Sequence, residues 1–372
     1  MFIARKRILF IVAMALTLCG FATAAPRELP KELSKLWNSM TLKDKVGQMI
    51  MVYMTPPSFT IENRFGGLLV MNPHLSNMDK FRRNLAEISS RAKIPVLVTL
   101  DQEGGYVNRI SNIDRKWEKT PSAMDMRIME PDSVFGIANE LGRTLHETGI
   151  NLNLAPVLDP ATDIHDKVTH LERWKRSWGD TSNVEKVRAF VRAMKNNGIV
   201  SVAKHFPGYD SEMNSDLQEA TSDAPESRIR EYTQFFRMLA PDVPMVMMSS
   251  VRYTSVSNAP AVFEPKIVQM AHDIDDDIVV LTDDLWGTNL RSWVSGPELA
   301  KKEPYPASEF KKVVMAALDA GNDMFMITYP AKAVDMKNYL VKLATQDDAY
   351  RERIERSVVR ILKMKKKAGL LK

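Results

Sequence analysis

The chain has 372 residues, 45% of them hydrophobic and 26% charged, with a formal net charge of +5; that is enough apolar material for one large domain or two ordinary ones. Three basic residues and no acidic one fall in the first 24 positions, so the rest carries about +2 and offers nucleic acid no electrostatic hold. The only cysteine, Cys19, lies in that same segment, so beyond it disulfides, a thiol nucleophile and a thiolate metal site are excluded.

Residues 1–24 open with Arg5, Lys6 and Arg7, continue through "ILFIVAMALTLCGFA" and end in Ala22-Thr23-Ala24, the pattern of a cleaved bacterial secretory signal. The expected mature domain is 25–372, exported to the periplasm or the exterior and without a membrane attachment after cleavage. A membrane anchor is the weaker reading, because the apolar run is short of the roughly 20 residues a span needs. Lipid attachment at Cys19 is weaker still, since Leu18 stands where a small residue is preferred.

Eight apolar runs follow in order: "MIMVYM" (49–54), "GGLLVM" (66–71), "IPVLVTL" (94–100), "NLNLAPVL" (151–158), "IVSVAKH" (199–205), "VPMVMMSS" (243–250), "DIVVLTD" (277–283) and "MFMITY" (324–329). Stretches such as "NVEKVRAFVRAMKNNG" (183–198) and "SEFKKVVMAALDAGND" (308–323) separate them, with apolar residues at helical spacing and a Gly near the expected C-terminus. Short continuous apolar strands alternating with helices predict a parallel sheet covered on both faces. Eight such units predict an α/β fold of the closed (β/α)₈ type in a single domain, with an open doubly wound sheet as the alternative. The many Met residues in these runs are expected as core filling, and the basic "RILKMKKKAGLLK" (360–372) as a helix end whose positive charge suits the negative end of the helix dipole.

Polar residues fall at the C-terminal ends of the runs: Asp101 after the third, Asp159 after the fourth, Lys204 and His205 in the fifth, Ser249 and Ser250 in the sixth, Asp283 and Asp284 in the seventh. In a barrel these ends share one face, where active sites assemble. Carboxylates at three of these ends, a Lys-His pair, and Arg109 and Arg176 in nearby loops suit a hydroxyl-rich ligand such as a sugar. The six histidines show no H-x-H or H-E-x-x-H spacing, which speaks against a metal site. "DQEGG" lacks the nucleotide-loop patterns, and there is no nucleophile elbow for serine catalysis. No cofactor is expected.

"MTLKDKVGQMI" (40–50), "DQEGGYVNRI" (101–110), "NLNLAPVLDP" (151–160), "KRSWGD" (175–180), "KHFPG" (204–208), "LTDDLW" (281–286) and "ALDAGNDMFM" (317–326) together resemble, in order and near spacing, the barrel domain of glycoside hydrolase family 3. The likeness is greatest to its single-domain bacterial β-N-acetylglucosaminidases, or β-hexosaminidases, and covers nearly the whole mature chain. The resemblance implies a retaining O-glycosyl hydrolase with Asp283 as nucleophile. It further implies that Asp101, Arg109, Arg176, Lys204 and His205 hold the terminal sugar, and that Asp159 orients its neighbours. An exported protein of this kind would act, as a monomer, on oligosaccharides or peptidoglycan fragments.

The loop after "KHFPG" departs from the family pattern. Where these relatives present an Asp-x-His dyad whose His is the general acid/base, this chain reads "YDSEMNSDLQ" (209–218), with Asp216 able to stand for the dyad's Asp and Gln218 in place of the His. Gln cannot exchange a proton near neutral pH. Relatives often have "MxxH" on the sixth strand, where this chain has Ser250. Three readings follow. A loop acid replaces the His, with Asp216 first and Glu212 next, then Asp210 or Glu219; or the specificity is altered, Tyr209 fitting the β-glucosidase "KHFxxY"; or the barrel binds glycan without cleaving it.

Overall fold

The computed structural model describes residues 29–161 and 168–371, so the expected signal segment and His165 lie outside the described residues. Eight parallel strands close a barrel in chain order: β1 (Ile50–Tyr53), β2 (Gly67–Leu69), β3 (Leu97–Leu100), β4 (Leu152–Asn153), β5 (Val200–Phe206), β6 (Met245–Met248), β7 (Val279–Asp284) and β8 (Met324–Ile327), with β1 also paired to β8. Each strand coincides with one of the eight apolar runs, β5 and β7 each running one residue beyond it, and closure rules out the open sheet.

The helices lie outside: α1 (Pro57–Asn63), α2 (Met78–Arg91), α3 (Pro131–Thr148), α4 (Val184–Asn196), α5 (Glu226–Leu239), α6 (Pro265–His272), α7 (Ala307–Ala320), α8 (Pro330–Gln346) and α9 (Asp348–Lys367). At least one of these helices follows each strand, short further helices lie in several of the loops, and α9 continues from α8. α7 stops at Gly321, which takes a left-handed φ of +111°, the conformation that a side-chain-free residue adopts most cheaply at a helix end.

Strands covered on both faces read as unbroken apolar runs because neither face meets water. Met51, Val52, Leu68, Met245, Met247, Met248, Val280, Leu281, Met324 and Phe325 are all buried, and each such side chain contributes about 1.5–3 kcal/mol of burial. β4 is the shortest strand of the barrel, and two asparagine side chains extend its pairing with β3. Asn151 accepts from Val98 N at 2.8 Å and donates to Val96 O at 3.0 Å; Asn153 accepts from Gln102 N and donates to Gln102 O, both at 2.9 Å. The two Asn of "NLNLAPVL" thus fasten the far side of the barrel and the start of the loop after β3.

At the N-terminal ends of the strands one lysine of the basic helix end lies inside the protein. Lys365 is fully buried, and its Nζ donates to Gln48 Oε1 (2.7 Å), Pro95 O (2.7 Å) and Gly66 O (3.1 Å).

Candidate active site

Beyond Asp101 the chain forms a small hairpin, Gln102–Gly104 paired with Val107–Asn108. Its turn needs glycine twice. Gly104 and Gly105 have φ of +92° and +57°, and a Cβ on them would meet Pro121 O at 2.1 Å and Ser122 Cβ at 2.6 Å. The "GG" of "DQEGG" therefore lets the hairpin lie flat on the Thr120–Ser122 segment, and this buries Glu103 beside the ends of β4 and β5.

Glu103 is the centre of an ion cluster. Arg176 grips both of its oxygens, Nε to Oε2 at 2.8 Å and Nη2 to Oε1 at 2.9 Å, while Lys204 Nζ lies 2.7 Å from Oε1 and donates to Asp101 Oδ1 at 2.6 Å. Burial alone would raise the Glu103 carboxyl, but Arg176 and Lys204 hold it at about 2. Lys204 shows the converse: burial works against its charge, and the carboxylates of Asp101 and Glu103 outweigh it, raising its pKa. Bidentate arginine–carboxylate contacts are among the strongest and most directional of ion pairs, so Asp101, Lys204 and Arg176 are set in fixed positions.

The second unit is Asp159 with His205. Asp159 is wholly buried; its Oδ1 accepts from the backbone N–H of His205 (3.0 Å) and of Tyr209 (2.6 Å), and Oδ2 lies 2.7 Å from His205 Nδ1. Because a carboxylate only accepts, Nδ1 carries the proton and Nε2 is the atom left for a ligand.

Asp283, near the end of β7, is held by two donors, Ser250 Oγ to Oδ2 at 3.0 Å and Asp284 N to Oδ1 at 2.8 Å. Ser250, which stands where relatives often carry His, thus fixes one oxygen of this carboxylate. Asp284 turns away and accepts from Thr328 Oγ1 at 2.6 Å and from Trp286 N at 3.0 Å; its carboxyl is raised, chiefly by burial.

The loop after β5 sorts its acids. Asp216 has an exposed residue surface yet comes in among the charged groups of the site. Its carboxyl is raised by burial and then by Asp283, against the lowering pull of His205 and Arg176. Glu212 is exposed on the outer side, 3.8 Å from Arg173 Nη2, and Glu219 pairs with Arg252 at 2.8 Å. Asp210 lies beneath the loop, accepting from Ser222 Oγ (2.8 Å) and Tyr232 Oη (3.2 Å), and burial raises it to about 6. Gln218 spends its amide on the Met213 sulfur at 3.1 Å. Tyr209 braces the loop: its hydroxyl accepts from Ser215 N at 2.8 Å and donates to the Met213 carbonyl.

Asp101, Arg176, Lys204, His205, Asp216 and Asp283 therefore converge, and Glu212 does not join them. Arg109 caps the short helical turn Ile110–Asn112, and its buried Nε has no hydrogen-bond partner among the described residues. Of the two tryptophans near Arg176, Trp178 is packed away, while Trp174 is 46% exposed. Sequence reasoning missed Glu103 and His170, whose ring packs 6.5 Å from those of both Trp174 and Tyr209. Glu103 carried a signal, two residues past a strand-end aspartate in a double-glycine hairpin; His170 carried none beyond lying six residues before Arg176.

The sequence model described as "Glycosyl hydrolase family 3 N terminal domain" matches residues 41–364. An "Uncharacterized secreted glycosyl hydrolase" of Arthroderma benhamiae is 27% identical over 241 residues, which are 59% of this chain and 65% of that protein's length. A "Beta-hexosaminidase" of Stenotrophomonas maltophilia is 24% identical over 281 residues, 71% of this chain and 76% of the relative. The crystal structure of a β-N-acetylhexosaminidase from Beutenbergia cavernae covers 88% of this chain and 99% of its own at 23% identity, with a TM-score of 0.70.

Proposed function

The chain belongs to glycosyl hydrolase family 3, and from that premise we propose that it is a retaining β-glycosidase of the β-N-acetylhexosaminidase kind, with Asp283 as nucleophile and Asp216 in the role of the missing histidine. The observation that carries this reading is the position of Asp216, which lies within electrostatic reach of Asp283, His205, Arg176 and Asp101, where burial and the Asp283 charge raise its carboxyl. A raised carboxyl beside an oriented carboxylate is the division of labour that retaining hydrolysis needs.

In the first step Asp283 attacks the anomeric carbon, the glycosidic C–O bond breaks, and the Asp216 proton goes to the leaving oxygen. The sugar is then an ester of Asp283, whose negative charge is gone. Losing that neighbour lowers the Asp216 carboxyl, which now takes a proton from water as the water attacks the anomeric carbon and frees Asp283. Configuration is retained because two displacements each invert it. Asp101 and Lys204 bind sugar hydroxyls, Arg176 and the unpartnered Nε of Arg109 supply donors, and His205 Nε2 is set by Asp159.

Residues 1–24 are read as an export signal, which agrees with the "secreted" description of the Arthroderma relative; peptidoglycan fragments or chitin-derived oligosaccharides are then the substrates within reach. One observation favours the alternative of a glycan-binding protein without turnover: Gln218, in the place of the family's proton-transferring His, is engaged with Met213. A panel of chromogenic β-glycosides tested on the purified protein decides between them. Hydrolysis of the N-acetylglucosaminide is expected; binding of that sugar without hydrolysis of any member would establish the alternative.

A further inference from the structure

Two aromatic side chains stand open to solvent on the site face, Tyr106 at 67% exposure and Trp174 at 46%. They come from loops after adjacent strands, Tyr106 from the hairpin after β3 and Trp174 from the C-terminal cap of the short helix His170–Arg173 after β4. Their rings meet edge to face, centroids 5.2 Å apart and planes at 86°. Both are fixed to the ion cluster: Tyr106 is three residues past Glu103 and Trp174 two before Arg176, and those partners form the bidentate pair. Between Trp174 and Arg176 the backbone turns at Lys175, a non-glycine residue at a φ of +54°. This turn leaves Trp174 outside while Arg176 enters the site.

The pair is also the outer end of a line of rings. His205 is 5.8 Å from Tyr209, Tyr209 is 6.5 Å from His170, His170 is 6.5 Å from Trp174, and Trp174 touches Tyr106. All four spacings lie within the range of aromatic contacts. The row begins beside the floor where the terminal sugar would be held and runs outward to the rim. A pyranose ring has one apolar face of C–H groups, which covers an aromatic face well, and exposed apolar surface continuous with a polar pocket marks a ligand groove.

We propose that Tyr106 and Trp174 form a second sugar subsite, which stacks on the leaving-group pyranose of a linear β-linked oligosaccharide and makes the protein select such chains over glycosides with small aglycones. This rests on the glycosidase reading above, and the test separates the two. The probes are N,N′-diacetylchitobiose, whose leaving group is a sugar ring, and N-acetyl-β-D-glucosaminyl fluoride, whose leaving group reaches neither aromatic. Tyr106→Ala and Trp174→Ala are each expected to lower kcat/KM for the disaccharide by roughly tenfold, the scale of one aromatic contact, with the fluoride within about twofold of the wild type. Trp174→Phe should keep most of the disaccharide rate. Equal losses on both probes, or no loss on the disaccharide, overturn the subsite. If the wild type cleaves neither probe the glycosidase reading fails, and tryptophan fluorescence then judges the subsite. A change on adding chitobiose that disappears in Trp174→Phe supports it; no change overturns it.

Discussion

Lys204 and Lys365 are buried lysines at opposite ends of one barrel, and burial works against the charge of both. At the site end Lys204 has Asp101 and Glu103 within 2.7 Å, and its pKa is raised. At the other end Lys365 has only the neutral oxygens of Gln48, Gly66 and Pro95, and burial brings it down to about 7. The same residue type is a permanent cation in one place and a titrating donor in the other, and the partners decide which. The site end holds fixed charges of both signs close together, an arrangement suited to chemistry; the far end satisfies its polar groups with hydrogen bonds and serves stability.

The largest effect is expected from the charge proposed to face substrate. Asp283→Asn is expected to cut turnover by at least about 10³-fold, as loss of a covalent nucleophile does, with the melting temperature nearly unchanged; a collapse in melting temperature would place Asp283 with the structural groups. Lys204→Met should damage both properties, because it leaves the buried Glu103 with Arg176 alone. The expected cost is about 3–5 kcal/mol of stability, measured by denaturant unfolding, together with loss of turnover.

Lys365→Met should leave kcat untouched and change only how stability depends on pH. With its folded pKa near 7 and an unfolded value near 10.4, the unfolded chain binds more protons between those limits, so wild-type stability rises with pH across that window. The slope is at most about 1.4 kcal/mol per pH unit, and the variant should lack it. Asp210 titrates with the opposite sign. Its carboxyl is raised to about 6, so its contribution is present at low pH and lost as pH rises through 6. Asp210→Asn, which keeps an acceptor for Ser222, should gain on the order of 2 kcal/mol at pH 8 relative to the wild type and none at pH 4; an unchanged pH profile of the melting temperature would contradict it.

The two ends were not equally legible in the sequence. The strands were plain because a doubly covered strand is an unbroken apolar run, and the strand-end polar residues Asp101, Lys204, His205 and Asp283 stood out against those runs. What the sequence hid were contacts made across long separations. Glu103 reads as part of a turn until Arg176, 73 positions on, closes over it. Lys365 reads as one of several lysines in a basic helix end until Gln48, 317 positions earlier, accepts a hydrogen bond from it. Within the loop 209–219 the sequence ranked Asp216 ahead of Glu212 only by its place near the dyad position. The roles of the loop's acids are separated by neighbours from other elements: Arg173 beside Glu212, Arg252 beside Glu219, Tyr232 of α5 beside Asp210, and the charge of Asp283 acting on Asp216.

On the proposed mechanism Asp216 moves the proton that a histidine moves in the family pattern. Its most direct test is the kcat/KM of Asp216→Ala on two substrates, chitobiose and a nitrophenyl N-acetyl-β-glucosaminide, the second with and without azide. Loss of a general acid should slow the disaccharide by roughly 10²–10⁴-fold and the activated substrate much less, since a nitrophenolate leaves without a proton. Azide, which needs no base to attack the glycosyl-enzyme, should restore the activated substrate and yield the β-glycosyl azide. Equal rates for Asp216→Ala and wild type on chitobiose would contradict the account.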